Sequence, residues 1–149
     1  MIDVRFSTAL QMMLSLALAK AEGVERLSST RLAEGVASNP TFVRKLLTPL
    51  IQASLVQSVH GRDGGVRLAR DAGAITLKEI YDSVRGEKQL WTQRSDIPHQ
   101  CLVSCNVEGF FSDLVEEAEA SVRQLLAGRT LAGALAQLRE RDAAAVERR

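Results

Sequence analysis

Apolar residues recur at helical spacing from the start of the chain. Phe6, Leu10, Met13, Leu14, Ala17 and Leu18 mark one face of a helix over Arg5–Ala21, and Gly23 ends it. Ser28 or Ser29 is placed to cap a second, short helix through Val36, with Leu32, Ala33 and Val36 facing inward. Ala37 and Ser38 form a tight turn. Asn39-Pro40 then reads as an N-cap followed by proline at the first helical position, where the missing N–H leaves nothing unsatisfied. The helix that follows buries Phe42, Val43, Leu46, Leu47 and Leu50, and Pro49 is expected to bend or interrupt it.

The pattern then changes. Val56 and Val59 form one short apolar strand, Val66 and Leu68 a second, and Gly61, Asp63, Gly64 and Gly65 between them tolerate positive φ in a tight loop. Arg62, Arg67 and Arg70 lie on or beside that loop. Helix, short helix, tight turn, capped helix and glycine-looped hairpin make a winged helix-turn-helix, against the plainer reading of an ordinary solvated hairpin. Thr76-Leu-Lys-Glu79 is a capping box that opens a further helix through Val84. Residues Gly86–Gln100 are polar, hold the only tryptophan, Trp91, and read as a linker; Trp91 is expected to pack over a neighbouring helix. The longest helical pattern runs from Val107 to Leu126, closed by Gly128, and Thr130 caps a last helix with Leu131, Leu135 and Leu138. The tail Arg139–Arg149 alternates charges and is expected to be frayed or a solvated helix end. The fold class is mainly α with a small β-hairpin. Residues 1–86 form the winged helix-turn-helix, 87–105 a loop holding both cysteines, and 106–149 the long helix and C-terminal helix.

Composition narrows the class. The chain has 149 residues, 46% hydrophobic but only 4% aromatic, which favours helix-on-helix packing over a stacking platform for single strands. No apolar run reaches membrane-spanning length, and the apolar stretch Ala9–Ala21 follows acidic Asp3 with no cleavage site behind it, so neither membrane span nor secretory signal is expected. Two cysteines, Cys101 and Cys105, do not make a disulfide framework, and a reducing cytoplasm is the expected location. Net charge is only +1, yet it is unevenly spread. Between Pro40 and Arg70 five cations stand against Asp63 alone; between Cys101 and Leu126 five carboxylates stand against Arg123 alone. A protein that binds phosphates with one face and itself with another has this split.

Thr41, Arg44 and Lys45 lie near the start of the third helix and point away from its apolar side. Arginine pairs with guanine O6 and N7, while Thr41 and Ser38 reach phosphates or a thymine methyl; a merely solvated face is the alternative. Arg62 at the wing tip, with His60 and Arg67, suits a phosphate or minor-groove contact. Cys105 falls just before the long helix, where unpaired N–H groups favour a thiolate, and Ser104 or Asn106 is expected to cap that helix. If Cys101 is helical too, the sulfurs share a face at i and i+4, within reach of a disulfide after modest unwinding. The competing readings are small buried hydrophobes and metal ligands, the latter with His99 as a third donor. Phe110, Phe111, Leu114, Val115, Ala118 and Val122 make an apolar side wider than a monomer needs, which reads as dimer core. P-loop, dinucleotide, zinc-protease and nucleophile-elbow motifs are absent, so no enzyme is expected.

Leu32-Ala33, Leu46-x-x-x-Leu50, Gly61-x-x-Gly64-Gly65, Leu68-Ala69-Arg70 and Ile75-Thr76-Leu77 form one ordered pattern. Together they resemble the Rrf-two family of bacterial winged-helix transcription regulators, the group of IscR, NsrR and CymR, closely over residues 1–84 and more loosely beyond. The resemblance implies a homodimer that binds double-stranded DNA at an imperfect palindrome, represses transcription, and dimerises through the helix from about Val107 to Leu126. It also places a basic residue before the first wing glycine, where this chain has His60. Several members hold an iron–sulfur cluster with three cysteines; here there are two, and the position of a further ligand from the partner's first helix is matched by Thr8, a poor ligand. Regulation is therefore expected through the thiols of Cys101 and Cys105, with no confident cofactor. An iron–sulfur cluster, a metal or a small-molecule effector is the alternative, and an adaptor without DNA binding the further one.

Overall fold

The computed structural model describes residues 3–149 as six α-helices and one β-hairpin, in the order α1 (Arg5–Ala21), α2 (Ser29–Gly35), α3 (Pro40–Gln52), β1 (Val56–Val59), β2 (Gly65–Leu68), α4 (Leu77–Arg85), α5 (Leu102–Ala127) and α6 (Leu131–Glu147). Mostly helical, with a single two-stranded sheet, it is the mainly α winged-helix architecture expected from the sequence.

Helix α1 is the hub, meeting α2, α3, α4, α6 and β2. Its buried face is Ala9, Met12, Met13, Leu16 and Ala17, whereas Phe6, Leu10 and Leu14 are only half-buried and Leu18 is exposed. The core side is thus rotated from the expected leucine stripe, because small residues at 9 and 17 let neighbouring helices approach the backbone. Ser28 caps α2 by accepting from Arg31 N–H at 3.1 Å, and Asn39 caps α3 by accepting from Thr41 N–H at 2.8 Å. Between them Ala37 takes φ +49°, a left-handed conformation held by Ser38 N–H donating to Ala33 O at 3.0 Å. Pro49 does not interrupt α3, which runs on to Gln52. It lies one turn from the C-terminus, and buried Leu46, Leu47 and Leu50 hold the helix in place around it.

In the hairpin, Val56 pairs with Leu68 and Val59 with Gly65, antiparallel, and Leu27 adds a third rung on the other edge of β2 by pairing with Val66. Of the loop residues expected to need positive φ, only Gly61 has it, at +118°. Gly64 and Gly65 are needed for space instead. A Cβ on Gly64 would stand 2.6 Å from Val59 O, and one on Gly65 2.5 Å from Leu27 O.

The Thr76/Glu79 capping box forms as expected: Glu79 N–H donates to Thr76 Oγ1 at 3.2 Å and Thr76 N–H to Glu79 Oε2 at 2.9 Å. The start of α6 is laced to the same segment, with Leu77 N–H donating to Arg129 O and Leu131 N–H to Ile75 O, both at 2.9 Å. Leu131 is fully buried, so the first turns of α6 belong to the winged-helix core. The remainder of α6 continues through the charged tail as a solvated helix end.

Helix α5 begins at Leu102, five residues before the expected Val107. Its cap is neither Ser104 nor Asn106 but Cys101, whose sulfur accepts from Ser104 N–H at 3.5 Å while Ser104 Oγ accepts from Cys101 N–H at 2.9 Å. Cys105 therefore lies inside the first turn rather than before it. Cysteine is not a usual cap residue, which is why the boundary was misplaced. Among the described residues no helix is long and apolar enough to cross a membrane.

Candidate nucleic-acid interface

Burial of Val43, Leu46, Leu47 and Leu50 fixes the rotation of α3, leaving Thr41, Arg44 and Lys45 exposed on its opposite face. Thr48 continues that face, one turn beyond Arg44 and two beyond Thr41, its hydroxyl donating to Arg44 O at 3.3 Å. It was overlooked in the sequence, although the seven-residue spacing from Thr41 marks it. Ser38 is half-buried in the turn that leads into this helix.

Across from α3 stands the wing. The two are separated by an open groove of about 600 Å³ whose polar lining includes Ser28, Ser29, Arg44, Thr48, Ser58, His60 and Arg62. Three of the expected residues, Arg44, His60 and Arg62, line one concavity, while Thr41 and Lys45 are exposed on α3 outside its lining. Arg67 is not brought to this groove. It points to the opposite side of the hairpin, where it lines a second cavity with Lys20 and Arg26. Among the described residues, Arg44, Lys45 and Arg62 have no carboxylate within 4.0 Å, so their charge is presented outward.

The cysteine segment is not part of this groove; it lies at the start of α5. Both thiols are free and exposed. The Cys101 thiol is held below its ordinary range chiefly by the Ser104 hydroxyl and then by backbone N–H groups of the first turn, all of which favour the thiolate. Cys105 N–H donates to Cys101 O at 2.9 Å, so the two residues are separated by one turn, though Cys101 is extended rather than helical. The preceding loop is tied to α5 by Gln93 Nε2 donating to Glu108 O at 2.6 Å and by Leu90 N–H donating to Glu119 Oε1 at 3.0 Å. Trp91 packs against Phe111 with ring centroids 6.4 Å apart.

Glu119 also pairs with Arg85 at 3.0 Å, with side chains only 14% and 11% exposed. Arg123 reaches Asp82 at 3.1 Å, so two ion pairs join α5 to α4. Val115 is 5% exposed on that same inner side, whereas Phe110 is 69% and Leu114 41% exposed on the outer side; Phe111, Ala118 and Val122 lie between and are half-buried. Val103, Val107, Phe110, Leu114 and Leu125 form an apolar stripe along the outer side of α5.

Residues 2–137 match the Rrf2 family, described as iron-dependent transcriptional regulators. The chain belongs to the Rrf2 family. It is 26% identical to YwnA of Bacillus subtilis over 107 residues, covering 72% of this chain and 80% of that protein. Other curated relatives, among them IscR of Cereibacter sphaeroides at 33% identity, are matched over less than half of their own length. The fold is similar to IscR of T. potens, with a TM-score of 0.68 and 22% identity over 93% of this chain and 88% of that one. It is also similar to the oxidised form of CymR from Staphylococcus aureus, with a TM-score of 0.65 and 27% identity over 91% and 95%. The family are DNA-binding transcriptional regulators and not enzymes, as expected from the wing and the third helix.

The iron named in the family description calls for a donor set, and an iron–sulfur cluster takes four ligands. Cys101, Cys105 and His99 offer at most three, and Cys101 Sγ is engaged by Ser104. Among the described residues no three His, Cys, Asp or Glu side chains converge on one point. The donors of this chain do not fit the cluster, and no step below passes through iron.

Proposed function

We propose that this regulator acts as a homodimeric repressor of a palindromic operator, released by oxidation of Cys101 and Cys105. The observation that carries the DNA-reading part is the unpaired cationic face of α3, continued across the groove by Arg62. In this reading α3 enters the major groove with Arg44 on a guanine edge, Thr41 and Ser38 on phosphate or a thymine methyl, and Lys45 on phosphate. His60 and Arg62 enter the adjacent minor groove. Residues 1–86 thus read DNA, 87–105 carry the sensor, and 106–149 supply the dimer contacts apart from the turns of α6 built into the core.

Dimerisation is supported by the outer stripe of α5, where Phe110 and Leu114 would meet a second copy and set the two wings apart by a fixed distance. The expected interface thereby shifts outward: Phe111, Ala118 and Val122 flank it, and Val115 supports it from within the protomer.

Redox control is supported by the position of Cys101 and by the similarity to a CymR solved in an oxidised form. Its thiolate attacks a peroxide O–O bond, giving a sulfenic acid and releasing hydroxide; Cys105 displaces water from that sulfur to close a disulfide. Cys101 then no longer caps α5. The first turn unwinds, and Glu119, Arg85 and Asp82 pass the change to α4 and the DNA-reading head. Such a switch suits a cytoplasm that is normally reducing.

Selection of duplexes from a random pool by the reduced protein tests the reading. The expected product has two inverted half-sites about one helical turn, or a multiple, apart. Arg44→Ala relaxes preference at one base pair of each half-site. Recovery of no duplex at all would overturn it.

A further inference from the structure

The wing has two faces, and the groove beside α3 uses only one. On the other, Gln57 and Arg67 sit opposite each other in the β1–β2 ladder, with Arg67 Nε donating to Gln57 Oε1 at 3.1 Å. That bond uses only Nε and leaves the two Nη groups available to a further acceptor. Leu27 pairs with Val66 on the far edge of β2, which brings the preceding residue, Arg26, to the same side of the wing as Arg67. Both arginines line a cavity of about 330 Å³, backed by Lys20 at the end of α1.

Like charges lining one cavity repel. The other charged groups here do little to relieve them. Lys20 is paired with Asp71 at 3.1 Å, and Glu25, though it lines the cavity, forms no ion pair among the described residues. Among the described residues no carboxylate comes within 4.0 Å of Arg26 or Arg67. Two arginines from separate segments, Arg67 propped by a neighbouring amide, are thus left facing the cavity without an ion pair and suit an external anion. Its geometry follows from the wing itself. A hairpin inserted into a minor groove about 6 Å wide lies between two phosphate strands, so each of its faces meets one.

We propose that Arg26 and Arg67 grip a phosphate of the strand on the far side of the wing, while the groove beside α3 holds the near strand. The proposal rests on the DNA-binding reading above and adds a second backbone contact to it. These contacts carry no base preference; they fix the depth and tilt of the wing.

The probe is the duplex selected by the wild-type protein, titrated at salt concentrations from about 50 to 200 mM, a range in which phosphate contacts are strongly salt-dependent. Arg67→Ala and Arg26→Ala should each weaken binding by the dimer about a hundredfold at the lowest salt, as for loss of one charged hydrogen bond in each protomer. Each should also lower the slope of log affinity against log salt by about 2 per dimer, one phosphate for each protomer. Sequence preference should stay unchanged. Arg67→Lys restores the slope, and Gln57→Ala lies between. Arg26→Gln and Arg67→Gln repeat the test should the alanine variants fail to fold. Wild-type slopes in the arginine variants, or a changed base preference, would overturn the proposal while leaving DNA binding intact. A wild-type protein that selects no duplex overturns both readings.

Discussion

Cys101 joins two properties that meet in one atom. Its sulfur ends the helix hydrogen-bond ladder by accepting from Ser104 N–H, and the same donors favour its ionised form. The Ser104 hydroxyl, first, and the N–H groups of the first turn hold the thiol below its ordinary range, and the thiolate they favour is lost as pH falls through the lowered value. Alkylation by iodoacetamide, followed against pH in Cys105→Ser, should therefore reach half its maximal rate below the ordinary thiol range. Ser104→Ala should move that midpoint back up; identical profiles would contradict the assignment. Little of this was legible beforehand. The apolar stripe of α5 becomes dense only from Val107, so the helix start was placed there and the capping role fell to the wrong residues. Exposed Arg44, Lys45 and Arg62 were legible, because the opposite side of α3 is plainly apolar. That Arg67 lies on the face of the hairpin away from the α3 groove was not legible, since alternation along a four-residue strand says which residues share a side and not what that side meets.

At the scale of elements, the chain states most of its helix starts clearly, that of α5 excepted, and its turns less so. Ser28, Asn39, Thr76 and Thr130 all cap where their side chains suggest. The Thr76 cap is reinforced by Glu79, whose carboxyl is held below 4.5, first by the Thr76 N–H against opposing burial and then by Arg70. Its contribution is full above the unfolded value of 4.5 and is lost as pH falls through the lowered one. Thr76→Ala should destabilise the protein by about 1 kcal/mol in urea unfolding at neutral pH. Ala37 is the reverse case, a residue with a Cβ in a left-handed turn. Ala37→Gly should leave stability unchanged or raise it by up to about 1 kcal/mol, since strain relief outweighs the added freedom of the unfolded chain. A loss greater than that would show the turn unstrained. Of the wing glycines Gly61 has the positive φ the sequence suggests, whereas at Gly64 and Gly65 the constraint is a carbonyl oxygen in the space of a Cβ, which leaves no signature in the sequence.

For the molecule as a whole, the split of charge along the sequence became a separation in space, with the cationic face on α3 and the wing and the acidic stretch on α5. What a single chain pattern did not disclose is how the two ends are joined. Arg85–Glu119 and Asp82–Arg123 connect α4 to α5, and these residues lie 34 and 41 positions apart, too far for any spacing rule. The outer stripe of α5 is the surface left over, and its wide apolar side in the sequence was divided by the fold into an inner and an outer half. Phe110→Lys with Leu114→Lys should convert a dimer to a monomer in sedimentation equilibrium without changing the helical circular dichroism. A dimer that survives both substitutions would place the interface elsewhere.

The central claim joins these scales: a dimer whose grip on DNA is set at Cys101. Its most direct test is the affinity of the selected duplex for wild-type and Cys101→Ser protein, each measured reduced and after peroxide treatment. Wild type should bind tightly when reduced and at least about tenfold more weakly when oxidised, a difference near 1.4 kcal/mol, while Cys101→Ser binds alike in both states. Equal affinity of reduced and oxidised wild type would contradict the account.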